Sequence, residues 1–271
     1  MKKGKKEVYA FGKIRDTVKY RLKFAHFPYL EEVLTRETPP LSEDLVILDV
    51  GCGPGNIPAF CGAGPGRKWY GLDLWEHQLR QAAEKSVYEN LFQVNLLDGL
   101  PFRDESFDIV ICSEVLMYLP NANAVLAEFH RALRPGGKIF LYNPVSLLPK
   151  TFASARRWFR RIHQEKDSVA LDTQREWKNA RRPCRINYYS LRSLIEDVGS
   201  ADFMITEVTA FRLFRNRIRF LTRLENYRWY YRLTRFFATR YPHLASDVMV
   251  VGRKKEKEPP DTSSMNNPAA A

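Results

Sequence analysis

The chain of 271 residues is long enough to bury one full core with additions, and its 45% hydrophobic content is that of an ordinary globular protein. Its formal net charge of +12 is unevenly held: residues 1–28, 150–185 and 212–240 carry +7, +7 and +8, which leaves −10 for the remainder. No apolar run reaches the length of a membrane span and no apolar stretch follows the lysine-rich start as in a secretory signal, so a cytoplasmic location is expected.

Residues 1–38 read as a basic helical cap. Lys2 to Lys6 form a charged tail, and the pattern from Val8 to Thr38 predicts two short helices separated near Pro28, with Ile14, Val18, Leu22 and Phe24 in need of a surface to cover. Pro39 and Pro40 end this region. The next stretch, V-I-L-D-V-G-C-G-P-G-N over 46–56, predicts a strand buried on both faces that ends where the glycines begin. Gly51, Gly53 and Gly55 permit backbone conformations closed to other residues and let the chain come close to a ligand. Asp73 lies twenty-two residues beyond Gly51, at the end of a second apolar run, W-Y-G-L-D-L. A carboxylate at that distance is placed to hold the two hydroxyls of a ribose.

The segment after Asn56, I-P-A-F-C-G-A-G-P-G, holds two prolines and three glycines, so a helix there must be short or broken. Residues 75–89 read as an amphipathic helix and 92–94 as a short strand. The competing dinucleotide-binding turn of an oxidoreductase would run G-x-G-x-x-G, whereas here the third glycine falls one place early. The four cysteines, Cys52, Cys61, Cys112 and Cys184, lack the paired short spacings of a zinc site and read as reduced structural thiols, with no metal expected.

The glycine turn, the run ending at Asp73 and the residues on to Leu141 resemble class I S-adenosylmethionine-dependent methyltransferases, in their small-molecule, type 11 branch. V-I-L-D-V-G-C-G-P-G-N is similar to the family's first motif and G-L-D-L, with Asp73, to its second. N-L-L-D-G-L-P-F carries Asp98 at the acidic position that meets the adenine amino group. F-D-I-V-I-C-S-E-V-L-M-Y-L over 107–119 resembles the fourth strand and its active-site edge, and R-A-L-R-P-G-G-K-I-F-L over 131–141 the turn into the fifth. The likeness is tight over 45–143 and loose over 186–252.

The resemblance implies an α/β, Rossmann-like fold: a seven-stranded, mostly parallel sheet whose last strand is antiparallel, with helices on both faces, a helical N-terminal cap and a C-terminal helical insertion. The cofactor core would occupy 39–149 and the end of the sheet 191–256, with a helix over 191–198 and strands over 203–209 and 246–254. The implied cofactor is S-adenosylmethionine, held by Asp49, Gly51, Cys52, Gly53, Asp73, Leu74, Leu97, Asp98 and Ser113. N-terminal helices would cover the cleft, bringing Tyr9, Phe11, Tyr20 and His26 within reach. Glu114, Tyr118 and Tyr188 are the candidate catalytic, acceptor-side residues. Related enzymes often have a histidine where Tyr118 stands, and a tyrosine is not a ready base at neutral pH.

The basic additions lie outside this core. Residues 150–190 form a basic, partly helical insertion containing R-R-W-F-R-R. Within 211–245, Arg215, Arg219 and Arg223 recur every fourth place, as do Arg228 and Arg232 with Arg235 three further on; Leu213, Phe220, Leu224, Tyr227 and Tyr231 line another side. Such basic-aromatic helices suit an anionic membrane interface, a nucleic-acid backbone, or a lid packed on its own domain with its arginines in solvent. The tail over 257–271 reads as disordered. Asn143-Pro144 and Pro183-Cys184 resemble nucleic-acid methyltransferase dipeptides but stand in the wrong places, because Cys112-Ser113-Glu114 follows the fourth strand. The expected function is methyl transfer to a small-molecule or lipid-linked acceptor at the inner membrane face. The alternatives are an RNA methyltransferase, or a protein that binds S-adenosylmethionine without transferring methyl or uses it for another group transfer.

Overall fold

A computed structural model of the chain describes residues 27–37, 44–61, 66–119, 122–145, 189–212, 228–241, 245 and 247–255. Seven strands, β1 (Leu45–Val50), β2 (Arg67–Asp73), β3 (Asn90–Gln93), β4 (Phe107–Ser113), β5 (Leu133–Pro144), β6 (Phe203–Arg212) and β7 (Asp247–Lys254), form one sheet in the order β3-β2-β1-β4-β5-β7-β6. The pairs from β3 to β5 are parallel, and β7 runs antiparallel between β5 and β6. This is the expected Rossmann-like sheet with its antiparallel last strand.

The central strands are continuous apolar runs because both faces of the sheet are covered. Successive side chains point to opposite faces, so β1 sends Leu48 and Val50 into a cluster with Val110, Cys112, Ile139 and Leu141. It sends Leu45 and Ile47 to the other face, with Ile109, Ile111, Phe140 and Tyr142. The first cluster is closed by α4 (Ala122–Ala132), through Val125, Leu126 and Phe129, and by α5 (Leu191–Ser200), through Leu194 and Val198. The second is closed by α1 (Phe27–Glu37), which buries Phe27, Tyr29, Leu30, Val33 and Leu34, and by α2 (Asn56–Cys61), which adds Ile57 and Cys61. Two helices complete the described residues: α3 (Glu76–Ala83) and α6 (Arg228–Arg240).

Several expectations shift. Pro28 lies in the first turn of α1, where its missing N–H costs the helix nothing. It therefore opens a helix, and the partner helix expected before it lies outside the described residues. The helix expected over 75–89 stops at Ala83: the amides of Lys85 and Ser86 bond back three residues, and Ser86 takes φ 52 in the left-handed region. The pattern was periodic beyond the point where the backbone could continue. The strand expected over 92–94 is β3, two residues earlier, and Val94 instead donates its amide to the Asp73 carbonyl at 3.0 Å. The broken helix after the glycine turn is the six-residue α2, with Pro58 buried inside it.

Candidate active site

The parallel strands end at one edge of the sheet, where the crevice of such folds lies. β1 runs into the glycine turn, β2 ends at Asp73, β3 leads to a 3-10 turn over Leu96–Asp98, and β4 opens into Ser113 and Glu114. The sequence-predicted residues on Asp49 to Ser113 are thus brought to this edge by topology, from four strands that are far apart along the chain.

The turn itself requires its glycines. Gly51 has φ 65, and a Cβ there would run into the side chain of Val115. The turn is tied to β2 twice: the Cys52 amide donates to the Leu72 carbonyl at 2.9 Å, and the Gly53 amide to Asp73 Oδ2 at 2.8 Å. Asp73 Oδ1 accepts the amide of Trp75 at 2.9 Å. The buried Asp73 therefore positions the turn and the start of α3, while each oxygen keeps acceptor capacity for another donor. Burial pushes its carboxyl above the usual range, against the pull of the amides of Trp75, Gly53 and Leu74.

Beneath the turn lies a residue that sequence reasoning passed over. The ring of Tyr88 sits between Gly55 and Gly71, and an added Cβ at either would stand 2.9 Å from it. Its hydroxyl donates to Asp49 Oδ2 at 2.7 Å. The other oxygen of Asp49, which is 1% exposed, has no hydrogen-bond partner among the described residues. Burial pushes the Asp49 carboxyl up to about 7; the Tyr88 hydrogen bond pulls down and the charge of Asp73 adds to the rise. The sequence placed Tyr88 near the end of the helix expected over 75–89, as one aromatic in the polar run K-S-V-Y-E-N, with nothing to mark it for the site.

Asp98 is exposed, and beside it Leu97 is 47% exposed, an apolar side chain left open at the edge. Leu74 is half-buried, with its carbonyl accepting from Gln93 Nε2 at 3.1 Å. The stretch after Asp98 is clamped by α4. Arg131 donates to Glu128, to Asp104 Oδ1 at 2.7 Å and to the carbonyls of Phe102 and Leu100 at 2.8 and 3.2 Å. Glu128 Oε2 in turn accepts the Leu100 amide at 2.9 Å.

On the acceptor side, Glu114 holds φ 58, unusual for a residue with a Cβ, and donates its amide to the Tyr142 carbonyl at 2.8 Å. Strained positions of this kind cluster at functional sites. Val115 then packs on Gly51, which sets the end of β4 against the glycine turn, and Leu116–Tyr118 form a 3-10 turn. Tyr188 lies outside the described residues, as do Tyr9, Phe11, Tyr20 and His26. Its neighbour Tyr189 bridges to Val145 at the end of β5, and burial pushes its hydroxyl up to about 12. Cys52, Cys61 and Cys112 are buried and free, and burial pushes all three thiols up, Cys112 to about 12. They stay protonated at neutral pH, as structural thiols do.

Residues 48–141 match a family model described as a methyltransferase domain. The chain is 35% identical over 118 residues to a demethylmenaquinone methyltransferase of Geobacillus stearothermophilus, covering 41% of this chain and 50% of that protein. It is 32% identical over 117 residues to a ubiquinone biosynthesis O-methyltransferase of Pseudomonas syringae pv. tomato, covering 40% and 48%. The chain thus spans about half the length of these relatives. Among solved structures, the fold is similar to that of the [4+2]-cyclase SpnF, with a TM-score of 0.55 and 16% identity over 84% of this chain and 80% of that one.

Proposed function

We propose that the core of this chain, residues 48–141, which matches a methyltransferase-domain model, is that of a class I, type 11 S-adenosylmethionine-dependent methyltransferase, and that the protein transfers a methyl group to a small-molecule acceptor. The observation that carries the reading is the glycine turn, held by Asp73 and underlain by Asp49, beside the strained Glu114 at the open edge of β4.

The residues present fit the family's cofactor. Asp49 Oδ1 is a buried acceptor without a partner among the described residues, and both Asp73 oxygens have lone pairs to offer. Two buried carboxylates beside one turn suit a cofactor that carries a sulfonium, an ammonium and ribose hydroxyls. They suit an anionic pyrophosphate poorly, which counts against the dinucleotide alternative. When bound, S-adenosylmethionine supplies a methyl group already activated by its positive sulfur. In this reading Asp73 takes the ribose hydroxyls, Asp98 the adenine amino group, and Leu74 and Leu97 flank the adenine. The turn from Gly51 to Gly53 and Ser113 hold the methionine end. Glu114 and Tyr118 orient the acceptor, whose proton passes to solvent. Holding the acceptor in line can carry most of the rate without an essential side-chain base.

The finer part of the proposal is that the acceptor is lipid-linked and met at an anionic membrane surface. Its support is the separation of charge between an acidic core and basic additions. Among the described residues no helix is long and apolar enough to cross a membrane.

Incubation with methyl-labelled S-adenosylmethionine and a lysate separated into lipid, RNA, protein and small-molecule fractions tests the reading. Label is expected in the lipid or small-molecule fraction; label confined to RNA would overturn it, and tight cofactor binding with no label anywhere would mark a protein that does not transfer methyl. By calorimetry, Asp73→Ala should bind S-adenosylmethionine at least about tenfold more weakly, the loss of one or two hydrogen bonds to a charged group. Asp73→Asn, which keeps an acceptor for one backbone amide, should fall between; unchanged affinity in both would mean the ribose is held elsewhere.

A further inference from the structure

α6 is seated by one side and leaves the other uncovered. Ala238 is fully buried, the Thr239 hydroxyl donates to the Ala210 carbonyl at 3.5 Å, and Arg235 lies 5.0 Å from the ring centroid of Tyr29 and 3.9 Å from Glu32 of α1. On the opposite side Trp229, Leu233 and Phe236 recur at spacings of four and three, with Phe237 and Tyr241 beside them. Their exposures are 59, 44, 66, 41 and 43%. At the helical repeat, Trp229, Leu233, Phe236 and Arg240 fall within a sector of about 60°, bordered by Arg232. Large apolar side chains grouped this way on one helix face mark an interaction surface.

The topology places α6 at the same edge of the sheet as the site. β6 runs parallel to β5, because each is antiparallel to β7, and both Arg212 and Pro144 pair with Asp247. The connection between β6 and β7 that contains α6 therefore leaves the sheet at the edge to which β1 and β4 deliver the glycine turn and Ser113. Charge identifies the partner. α6, R-W-Y-Y-R-L-T-R-F-F-A-T-R, contains no acid, and residues 212–240 hold nine arginines against one glutamate. A second copy of this chain would meet the face with the same positive charge. A nucleic acid would leave Leu233 and the outward ring of Phe236 without an apolar environment. A bilayer with anionic headgroups satisfies both parts, the rings and leucine at the acyl boundary and Arg232 and Arg240 among the phosphates.

We propose that the outward face of α6, formed by Trp229, Leu233, Phe236 and Phe237, docks on an anionic bilayer and sets the cofactor edge of the sheet against the membrane. It deepens the reading of this protein as a methyltransferase with a lipid-side acceptor, and the docking is tested without catalysis. The full chain is floated with vesicles of phosphatidylcholine alone or of phosphatidylcholine mixed with phosphatidylglycerol, in parallel with a Trp229→Ser, Phe236→Ser variant and an Arg232→Glu, Arg240→Glu variant. All four side chains are exposed or carry an exposed face, so unchanged melting temperatures are expected, and circular dichroism checks them. Wild type should float with the mixed vesicles and poorly with phosphatidylcholine alone, and each variant should need about tenfold more lipid for half-binding. Equal flotation of wild type and both variants overturns the proposal. So does binding to homopolymer RNA without vesicle binding, or a concentration-dependent dimer that both variants abolish. Flotation without methyl label in any lysate fraction would leave the docking standing and remove the functional reading; label on a soluble acceptor without flotation would do the reverse.

Discussion

Asp49 is the residue whose chemistry departs furthest from its appearance in the sequence. As the acid in V-I-L-D-V it reads as part of a motif, but the fold buries it and leaves one oxygen without a partner among the described residues. Its folded pKa, about 7 against an ordinary 3.8, is raised, so the native state holds the proton over that interval and the unfolded state does not. The stability it contributes is fully present below about 3.8 and is lost as pH rises through about 7. Asp49→Asn should flatten the dependence of melting temperature on pH across that window. Tyr88→Phe removes the one hydrogen bond that lowers this pKa and should move the upper end of the window above 7. It should also displace upward the pH at which affinity for the cationic cofactor is gained, a shift that a purely structural role for Tyr88 would not produce. Calorimetry from pH 5 to 9 reads both, with Cys52, Asp73, Cys112 and Cys61 the other titratable groups that interact with the pair among the described residues. Gly51, Gly53 and Asp73 were legible in the sequence because turn geometry and an acid at a fixed distance are local facts. Tyr88 was not, since its role depends on two glycines from different elements leaving room for one ring.

At the scale of elements, the strands were legible and the helix ends were not. β1, β4 and β5 are apolar on both faces, a pattern that burial under two helical layers imposes on each strand separately. α3 ends early because of backbone conformation at Ser86, which its periodic side chains do not reveal. Arg131 shows how an element far from the motif governs the site: from α4 it holds the stretch beyond Asp98 through two carboxylates and two carbonyls. R-A-L-R-P-G-G was recognisable, but the direction in which Arg131 points was not. Arg131→Ala should lower the melting temperature by about 3–6 °C, as the loss of about 1.5–2 kcal/mol of partly solvated bonds predicts. It should also weaken the cofactor several-fold by releasing Asp98. Arg131→Lys, one charge without the fork, should recover little of either. Arg192→Ala, whose pairing with Glu196 at 2.7 Å is on the surface, serves as a control and should change neither measurement appreciably.

For the molecule as a whole, the division of charge matters more than the total of +12. Buried Asp49 and Asp73 act within a few ångströms of the turn, while Arg232 and Arg240 of α6 act toward solvent. Raising the salt to about 0.5 M should therefore weaken binding to anionic vesicles strongly and change cofactor affinity little, because screening reaches exposed charges and hardly touches buried ones. Flotation and calorimetry at both ionic strengths check the pair of outcomes. The tertiary structure also divides what the sequence grouped. Arg235 belongs to the arginine stripe by spacing, yet it turns inward over Tyr29, while Arg232 and Arg240 remain outside. Arg215, Arg219 and Arg223, with Leu213, Phe220, Leu224 and Tyr227, lie outside the described residues, and Tyr231 is described only as part of the α6 backbone.

Sequence by itself determined the sheet, the glycine turn with its acid, and through them the resemblance to a methyltransferase domain. Each of these is imposed by short-range rules: alternation along a strand, the φ angles of a turn, and a fixed spacing from Gly51 to Asp73. Only the tertiary structure decided which charges are buried, that Tyr88 underlies the turn, and which side of α6 faces out. Those depend on what packs against each residue from elsewhere in the chain, and neither hydrophobic period nor charge count along one segment contains that information.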